Sequence, residues 1–294
     1  MSARAVAPLT RGALLIQARE TLERAGVLAP EGDAERLLLH ALAISRTRLW
    51  SDRAAPVSEE DLARFARLLE ARSRRVPLQH LLGEVEFHAA EIEVEPGVFI
   101  PRPETERLIE VVLEELEAEQ GTILDLGTGT GAIPIALLMS LPVGWTAGGI
   151  DRSDRAIALA SRNGRRNGVL RRLKVWNADF RSPASVALEA PVDVLVANLP
   201  YIPTVAIAGL MPEVRDHDPR EALDGGPDGL DAFRAVAGVF SSWLKPGGIL
   251  ALEIGEDQAD PCMELFGPHL SRARVERDLG GYPRILTGRR RGTR

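Results

Sequence analysis

The sequence predicts an α/β fold in which a mostly parallel sheet follows a small bundle of helices. From about residue 120, strand-like apolar runs alternate with helical segments. One such run, residues 122–126, leads into a loop with glycine at every second position, Gly127, Gly129 and Gly131. Another, residues 192–197, leads into Asn198-Leu199-Pro200-Tyr201. Alternation of this kind produces a parallel sheet covered by helices on both faces.

Residues 1–85 are predicted to form a helical domain. Thr10 precedes a segment with helical spacing of apolar residues, and Pro30 can open a second helix. Ser58 and Asp61 resemble a capping box before a third apolar segment. No residue pattern in this domain points to catalysis, so we interpret it as a substrate-recognition domain.

A short hairpin linker is predicted over residues 86–100, where alternation from Glu86 to Val94 is followed by the turn signal Pro96-Gly97. Residues 101–294 then form the larger domain, beginning with a helix after Pro101. Its expected strands lie near 122–126, 145–150, 173–176, 192–197 and 248–254, with a terminal antiparallel pair from 272–276 and 283–287.

Composition excludes several classes of function. The 294 residues are 45% apolar and 27% charged, with a net charge of −6, which argues against a stable nucleic-acid complex. No apolar run reaches the length of a membrane span, and the N-terminus lacks the apolar core of a signal peptide. Cys262 is the single cysteine, and the five histidines show no metal-ligand spacing. We therefore expect a cytoplasmic monomer without a metal ion.

The glycine loop is a candidate cofactor site. Gly127, Gly129 and Gly131 remove side chains where backbone must approach a ligand, and with Ala132 they satisfy the dinucleotide-binding pattern. The loop alone does not separate a nicotinamide cofactor from S-adenosylmethionine. Asp151 ends the next strand and can accept hydrogen bonds from ribose hydroxyls; the alternative is a helix cap.

Asp125 favours S-adenosylmethionine. It lies two residues before the first glycine, a position where methyltransferases typically place an acidic residue near the charged methionine end of the cofactor. Asp179 and Phe180 follow the third strand and offer an acceptor and an aromatic face for an adenine ring. The alternative for this pair is a turn at a strand end with a core phenylalanine.

Asn198-Leu199-Pro200-Tyr201 suits methyl transfer to a planar NH₂ group. An amide nitrogen is a poor nucleophile, and two acceptors on its N–H groups can align it and stabilise developing positive charge. The Asn198 side-chain oxygen and the Leu199 carbonyl can serve as these acceptors. Pro200 stiffens the turn, and Tyr201 can pack against the substrate. The residues thus predict an amide methyltransferase.

The chain resembles the PrmC/HemK family, the glutamine methyltransferases that modify the Gly-Gly-Gln tripeptide of bacterial class-1 peptide chain release factors. The resemblance covers nearly the whole chain. Its most specific segments are Pro101-Arg102-Pro103-Glu104-Thr105-Glu106 and Gly225-Gly226-Pro227-Asp228-Gly229-Leu230. Further segments are 77–83, the glycine loop, 198–202, residues 221–224 directly before Gly225, and Gly281-Tyr282-Pro283-Arg284.

This resemblance implies a five-helix N-terminal domain, a short hairpin, and a class I S-adenosylmethionine-dependent methyltransferase domain with a seven-stranded Rossmann-like sheet. It implies a release factor as partner and a substrate glutamine held by Asn198 to Tyr201. The cofactor contacts that it implies are Gly127, Thr128, Gly129, Thr130, Gly131, Asp151, Phe180 and Asn198.

Two positions depart from the family pattern. Leu199 stands where the family usually has proline. If only the carbonyl of this residue is used, leucine serves, with some loss of loop rigidity. If the shape of the turn selects the amide, Leu199 weakens the substrate assignment. Ala89-Ala90 stands where a glycine is common, and only a local packing effect is expected.

Three alternatives remain open from the sequence: N6-adenine methylation of nucleic acid, glutamine methylation of a large-subunit ribosomal protein, and a binding module without activity. Acidic net charge argues against the first, because base flipping needs a basic duplex-binding face. The intact residues Asp125, Gly127 and Asp151 argue against the third. Residues 203–220 are a candidate lid.

Overall fold

The computed structural model describes residues 9–182, 186, 188 and 190–292. The chain divides into two compact units. The first comprises Met1–Gly83 with Pro212–His217, and the second comprises Glu84–Met211 with Asp218–Arg294. Part of the candidate lid, Pro212–His217, is therefore grouped with the N-terminal helices.

The first unit is a helical bundle, as predicted. Its described residues form the helices α1 (Arg11–Arg24), α2 (Pro30–Leu42), α3 (Arg46–Ser51), α4 (Glu59–Ser73) and α5 (Leu78–Leu82), while α9 (Pro212–Arg215) comes from the later segment. The predicted helix starts are confirmed: Thr10 and Ser58 cap α1 and α4, and Pro30 opens α2. Leucines and alanines of α1 and α2 pack with Phe65 of α4 in one apolar core.

A buried ionic cluster lies in the same unit. Arg72 Nε donates to Asp33 at 2.7 Å, and its Nη1 donates to Glu213 at 2.8 Å. Arg75 also donates to both oxygens of Glu213. The Arg72 side chain is 7% exposed and the Glu213 side chain 13%, so the pairing satisfies charges that are largely removed from water.

The second unit begins with a hairpin, β1 (Glu84–Phe87) and β2 (Ala90–Glu93). The chain reverses at His88 and Ala89, ahead of the Pro96-Gly97 turn signal. Asn163, which is fully buried, exchanges hydrogen bonds with the Glu93 backbone and donates to the Thr130 carbonyl. The hairpin is thereby attached to the glycine loop.

The described residues of the second unit form a seven-stranded sheet in the order β5-β4-β3-β6-β7-β9-β8. Its first five strands in the chain are parallel, and the terminal pair is antiparallel, as predicted. The strands are β3 (Gln120–Leu126), β4 (Gly144–Asp151), β5 (Leu173–Asn177), β6 (Val192–Asn198), β7 (Leu244–Glu253), β8 (Leu270–Arg277) and β9 (Pro283–Arg290).

Helices connect these strands, and their apolar residues pack against those of the sheet in two hydrophobic cores. The helices of the second unit are α6 (Glu106–Glu115), α7 (Ala132–Ser140), α8 (Asp154–Arg166), α10 (Asp231–Trp243) and α11 (Ala259–Phe266). Strand order reverses on either side of β3, which has β4 on one edge and β6 on the other. Parallel α/β sheets bind ligands at the carboxyl ends of strands beside such a reversal.

Candidate active site

A cavity of about 540 Å³ lies at the carboxyl ends of the central strands. Its size is within the usual range for small-molecule sites. Residues from the glycine loop, from the end of β6 and from the segment after β2 line it. The lining includes Val98, Phe99, Thr105, Gly127, Thr128, Gly129, Thr130, Asp151, Phe180, Asn198, Leu199, Pro200, Pro219, Glu221 and Ala222.

Four neighbouring strands each place a polar residue at or near this edge. In sheet order they are Asp151 on β4, Asp125 on β3, Asn198 on β6 and Glu253 on β7. Asn198 and Glu253 are paired in the register of β6 and β7. The sequence predicted the first three of these residues as site residues, and the parallel sheet brings them to one edge.

Asp125 is fully buried, and both carboxylate oxygens are without a hydrogen-bond partner in the described part of the chain. Burial raises the pKa of Asp125 to about 8. The Thr128 hydroxyl, which is near but makes no full hydrogen bond, lowers this pKa, and the negative charge of Asp151 raises it. A buried carboxyl without a partner fits a cationic ligand, which would supply the missing counter-charge.

The glycine loop is held by the neighbouring strand. Gly127 and Thr128 donate backbone hydrogen bonds to the Ile150 carbonyl, at 2.8 and 2.9 Å. Asp151 Oδ2 accepts from the Gly129 backbone at 2.9 Å. Gly127 has a φ of 73°, and a Cβ there would lie 3.0 Å from Leu199 Cδ2. The loop therefore needs glycine both for its backbone conformation and for contact with Leu199.

Asp151 and Gly131 both have local structural roles. Asp151 Oδ1 accepts from the Ser153 backbone, whereas the side-chain cap of α8 is Ser153 itself, bonded to Ala156. Gly131 precedes α7 with a φ of 78°, and a Cβ there would approach Ala160 at 3.0 Å. Gly131 is not among the residues that line the cavity.

Phe180 lines the cavity, whereas Asp179 does not. The Asp179 carboxylate accepts hydrogen bonds from the Arg181 guanidinium, which holds the pKa of Asp179 below its usual range. Its acceptor capacity is thus largely used within its own turn. The Phe180 carbonyl accepts from the Trp243 indole at 3.3 Å, which fixes the backbone of the phenylalanine.

Asn198 lies at the cavity with its amide orientation set by a buried partner. Its Nδ2 donates to Thr105 Oγ1 at 3.0 Å. Because Nδ2 is engaged, Oδ1 is the atom left to accept a hydrogen bond from a ligand. Leu199 is buried against the glycine loop, and Pro200 follows it in the cavity wall.

Tyr201 and Glu253 are in contact behind this wall, and neither lines the cavity. The Tyr201 hydroxyl donates to Glu253 Oε1 at 3.3 Å. Burial raises the pKa of the Tyr201 hydroxyl, and the neighbouring Glu253 raises it further. Burial also raises the pKa of Glu253 to about 7, against the opposing effects of Thr105 and Arg284.

Sequence reasoning missed Thr105 and Glu253. Thr105 lies within the Pro101–Glu106 segment, but no local pattern distinguishes it, because its role depends on the tertiary contact with Asn198. Glu253 ends β7, Leu244–Glu253, for which the sequence predicted a strand near residues 248–254. The same argument that identified Asp151 and Asn198 at strand ends could have identified Glu253.

Comparison with known proteins identifies the family. A family model described as the PrmC N-terminal domain matches residues 13–83, and one described as ribosomal protein L11 methyltransferase (PrmA) matches residues 89–218. The release factor glutamine methyltransferase of Mycobacterium leprae is 39% identical over 275 residues, covering 92% of this chain and 93% of the relative. The chain belongs to the release factor glutamine methyltransferase family.

A second member of the release factor glutamine methyltransferase family, from Moorella thermoacetica, is 41% identical over 250 residues, covering 85% of this chain and 87% of the relative. Among solved structures, the T. thermophilus 16S rRNA N2 methyltransferase in complex with AdoMet and guanosine has a TM-score of 0.50 and 22% identity. The alignment covers 71% of this chain and 50% of the rRNA methyltransferase chain, and the two share the fold.

These findings confirm the predicted family, the class I methyltransferase fold and the prediction of an S-adenosylmethionine-dependent enzyme. In the residues that the structure describes, no three His, Cys, Asp or Glu side chains are grouped to hold a metal ion. None of the helices in the same ranges combines the length and apolar character needed to cross a membrane.

Proposed function

We propose that this protein transfers a methyl group from S-adenosylmethionine to the side-chain amide nitrogen of glutamine in the Gly-Gly-Gln tripeptide of class-1 peptide chain release factors. The observation that carries the proposal is the orientation of Asn198, whose Nδ2 is bonded to Thr105 so that Oδ1 is the available acceptor. An acceptor here suits a substrate NH₂ group. The relatives that cover most of the chain are named for release factor glutamine methylation.

The residues at the cavity fit S-adenosylmethionine. When bound, this cofactor supplies an electrophilic methyl group on a positively charged sulfur, which becomes a neutral thioether as the S–CH₃ bond breaks. Asp125 would balance the positive charge of the methionine part, and Asp151 would accept from ribose hydroxyls. Gly129 leaves room for the ligand, since no atom beyond its two chain neighbours lies within 4 Å of a Cβ built there. Phe180 would contact the adenine.

Asn198 and Leu199 orient the substrate amide. Asn198 Oδ1 and the Leu199 carbonyl accept hydrogen bonds from the two N–H groups of the glutamine side chain. This holds the nitrogen in line with the methyl group and stabilises positive charge as the N–CH₃ bond forms. The methylated nitrogen then loses one proton to water, which leaves a neutral secondary amide. No side chain needs to remove that proton beforehand.

Leu199 is compatible with this role. The reaction uses its carbonyl, which any residue provides. Its side chain is 3% exposed and packs against Gly127, so it supports the cofactor loop. We infer that contact with the loop offsets the rigidity that a proline would give.

Two other substrates are less well supported. A glutamine of a large-subunit ribosomal protein would need the same acceptors, and the PrmA model matches residues 89–218. Residues 13–83, however, match the PrmC N-terminal domain, and the relatives that align over most of the chain are named for release factors. N6 of adenine is another planar NH₂, but the net charge of −6 opposes binding to nucleic acid.

Residues 1–85 would recognise the release factor, and residues 101–294 would carry out methyl transfer. The hairpin of the predicted linker, residues 86–100, begins earlier in the structure, at Glu84, and ends at Glu93. We further infer that the enzyme acts as a cytoplasmic monomer, without a metal ion and without a stable nucleic-acid complex. Each turnover uses one protein substrate and one cofactor molecule.

Mass spectrometry of a purified class-1 release factor incubated with the enzyme and S-adenosylmethionine tests the proposal. A gain of one methyl group on the glutamine of Gly-Gly-Gln is expected. A release factor with asparagine in place of that glutamine is the matched control and should stay unmodified. Methylation of a ribosomal protein or of adenine in parallel reactions, with the release factor unmodified, would overturn the substrate assignment.

A further inference from the structure

Glu253 is a buried carboxyl that lies next to Asn198 without lining the cavity. It ends β7 opposite Asn198 in the strand register and is 2% exposed. Burying a carboxyl is costly unless its oxygens are well bonded. The Tyr201 hydroxyl donates to Oε1, and Oε2 has no hydrogen-bond partner in the described ranges. This cost suggests a functional role for the side chain.

Two charged groups and two hydroxyl groups act on the Glu253 carboxyl. Arg284, on β9, favours the ionised carboxylate, while Glu104, ahead of α6, opposes it. Thr105 and Tyr201 stabilise the ionised form through their hydroxyl groups. Burial is the largest effect, so that the pKa of Glu253 is raised to about 7 and its charge changes near neutral pH.

Thr105 connects this carboxyl to Asn198. The threonine is 3% exposed, and its Oγ1 accepts from Asn198 Nδ2. A hydroxyl that accepts from Asn198 must direct its own proton elsewhere. Glu253 lies near this hydroxyl and opposite Asn198 in the strand register, and its Oε2 is an acceptor without a hydrogen-bond partner in the described ranges. If the hydroxyl proton instead pointed at Asn198, the asparagine amide would be favoured in the flipped orientation, with its oxygen on Thr105. An NH₂ group would then face the NH₂ group of the substrate.

We propose that Glu253 is a positioning residue, which acts through the Thr105 hydroxyl to keep Asn198 Oδ1 directed at the substrate amide. This inference rests on the proposed function, because the orientation matters only if Asn198 accepts from an NH₂ group. Tyr201 contributes by donating to the same carboxylate, which ties the end of the Asn198–Tyr201 turn to β7.

Steady-state kinetics with the release factor substrate test the donor-to-acceptor direction of the hydrogen bonds from Asn198 through Thr105 to Glu253. Thr105→Val removes the hydroxyl, and Thr105→Ser retains it. Glu253→Gln introduces an NH₂ group that can donate to Thr105 and so reverse the polarity. We expect Thr105→Val and Glu253→Gln each to lower kcat by about 10- to 100-fold, with KM and cofactor affinity changed by less than about threefold. Thr105→Ser should stay within about threefold of the wild type.

The double variant tests whether Thr105 and Glu253 act on the same step through Asn198 or lower kcat independently. If both residues act through Asn198, Thr105→Val with Glu253→Gln should be no slower than the worse single variant, within about threefold. Multiplicative effects, a wild-type kcat in Glu253→Gln, or a Thr105→Ser enzyme as slow as Thr105→Val would each overturn the proposal. Asp193→Asn, which replaces a carboxylate near the other end of β6, is the control for general disturbance and should retain kcat.

NMR of the enzyme without substrate keeps this test independent of the proposed function. The side-chain NH₂ resonances of Asn198, identified by their loss in Asn198→Ala, should shift with pH at the same midpoint as the Glu253 carboxyl. In Thr105→Val the Glu253 titration should persist while the Asn198 resonances stop following it. Asn198 resonances that ignore pH in the wild type would contradict the inference. A wild-type enzyme that leaves the release factor unmodified would instead contradict the proposed function, and the NMR result would still decide the role of Glu253.

Discussion

Arg75 and Glu213 form a bidentate salt bridge although they lie 138 residues apart in the sequence. Arg75 Nε donates to Oε1 at 2.7 Å and Nη2 donates to Oε2 at 2.6 Å. Burial alone would raise the pKa of Glu213, but the hydrogen bonds from Arg75 and Arg72 outweigh it and lower the pKa to about 2. The pair therefore attaches the segment Pro212–His217 to the N-terminal helices of the same unit.

Glu213→Gln should destabilise the helical unit at neutral pH by about 2 kcal/mol, because two largely buried arginines lose charged partners. Since the folded-state pKa lies below the unfolded value, this contribution is present above about pH 4.3 and is lost as the pH falls through the folded value. Hydrogen exchange of α2 and α4 amides at pH 7 and pH 3 measures it. Glu70→Gln, in an exposed pair with Arg74, is the control and should cost less than about 0.5 kcal/mol. Equal costs for the two variants would contradict the prediction.

Asn198→Ala should lower kcat by about 10² to 10³, as expected when a preorganised contact to the reacting group is lost. Cofactor affinity should change by less than about threefold, since Asn198 acts on the substrate. Single-turnover methyl transfer and calorimetry separate the two effects. Asn177→Ala is the matched control, because Asn177 ends the outer strand β5 at the same edge but does not line the cavity. A fast Asn198→Ala enzyme would refute the role given to its oxygen.

Asp125→Asn should weaken cofactor binding by about 10-fold or more, because a neutral amide cannot balance a cationic ligand. Burial raises the pKa of Asp125 to about 8 in the ligand-free protein, so the carboxyl is largely protonated at pH 7. A cation favours the ionised form, and binding to the wild type should therefore release a proton. Calorimetry in buffers of different ionisation enthalpy detects this release, and Asp125→Asn should abolish it. Unchanged affinity in the variant would exclude contact between Asp125 and the cofactor.

Asp125→Asn should also change stability in the ligand-free protein. The folded-state pKa is raised above the unfolded value, so the stabilising effect of the protonated carboxyl is complete at low pH and is lost as pH rises through about 8. The variant lacks this titration. The melting temperature of Asp125→Asn should therefore exceed that of the wild type by an amount that grows between pH 4 and pH 8. A difference independent of pH would show that Asp125 does not titrate as expected.

Asp151→Ala and Asp179→Ala distinguish two predicted cofactor residues. Asp151 lines the cavity and accepts from Gly129, so its loss should weaken affinity for S-adenosylmethionine by about 10-fold or more. Asp179 lies outside the lining and is paired with Arg181, so its loss should change affinity by less than about threefold. Calorimetry compares the two variants. The reverse order would assign the cofactor contact to Asp179.

Leu199→Ala separates the carbonyl of this residue from its side chain. We expect a stability loss of about 2 to 4 kcal/mol, because a buried leucine is truncated. Cofactor affinity should also fall, since Gly127 loses its support, whereas kcat at saturating cofactor should stay within about threefold of the wild type. Leu250→Ala, in the same apolar core but within β7, is the control for stability without a change in affinity. A large loss of kcat in Leu199→Ala would mean that the side chain shapes the substrate turn.

Local patterns in the sequence were sufficient to predict most of the fold. Helix caps at Thr10 and Ser58 and the alternation of strands and helices depend on neighbours a few residues apart, and the structure confirms them. Asp125, Asp151 and Asn198 follow from the same information. Each lies at or near the end of a parallel strand, and parallel strands end at one edge of the sheet.

Contacts between distant segments required the tertiary structure. Nothing near Thr105 in the sequence indicates that it accepts a hydrogen bond from Asn198, 93 residues later. Local periodicity in the sequence likewise does not predict the ion pair of Arg75 with Glu213. The sequence by itself determined which residues occupy the strand ends and glycine turns, because short-range sterics and apolar spacing govern them. Only the packed sheet and helices decided which of these residues meet, because strand register and side-chain burial depend on the whole core.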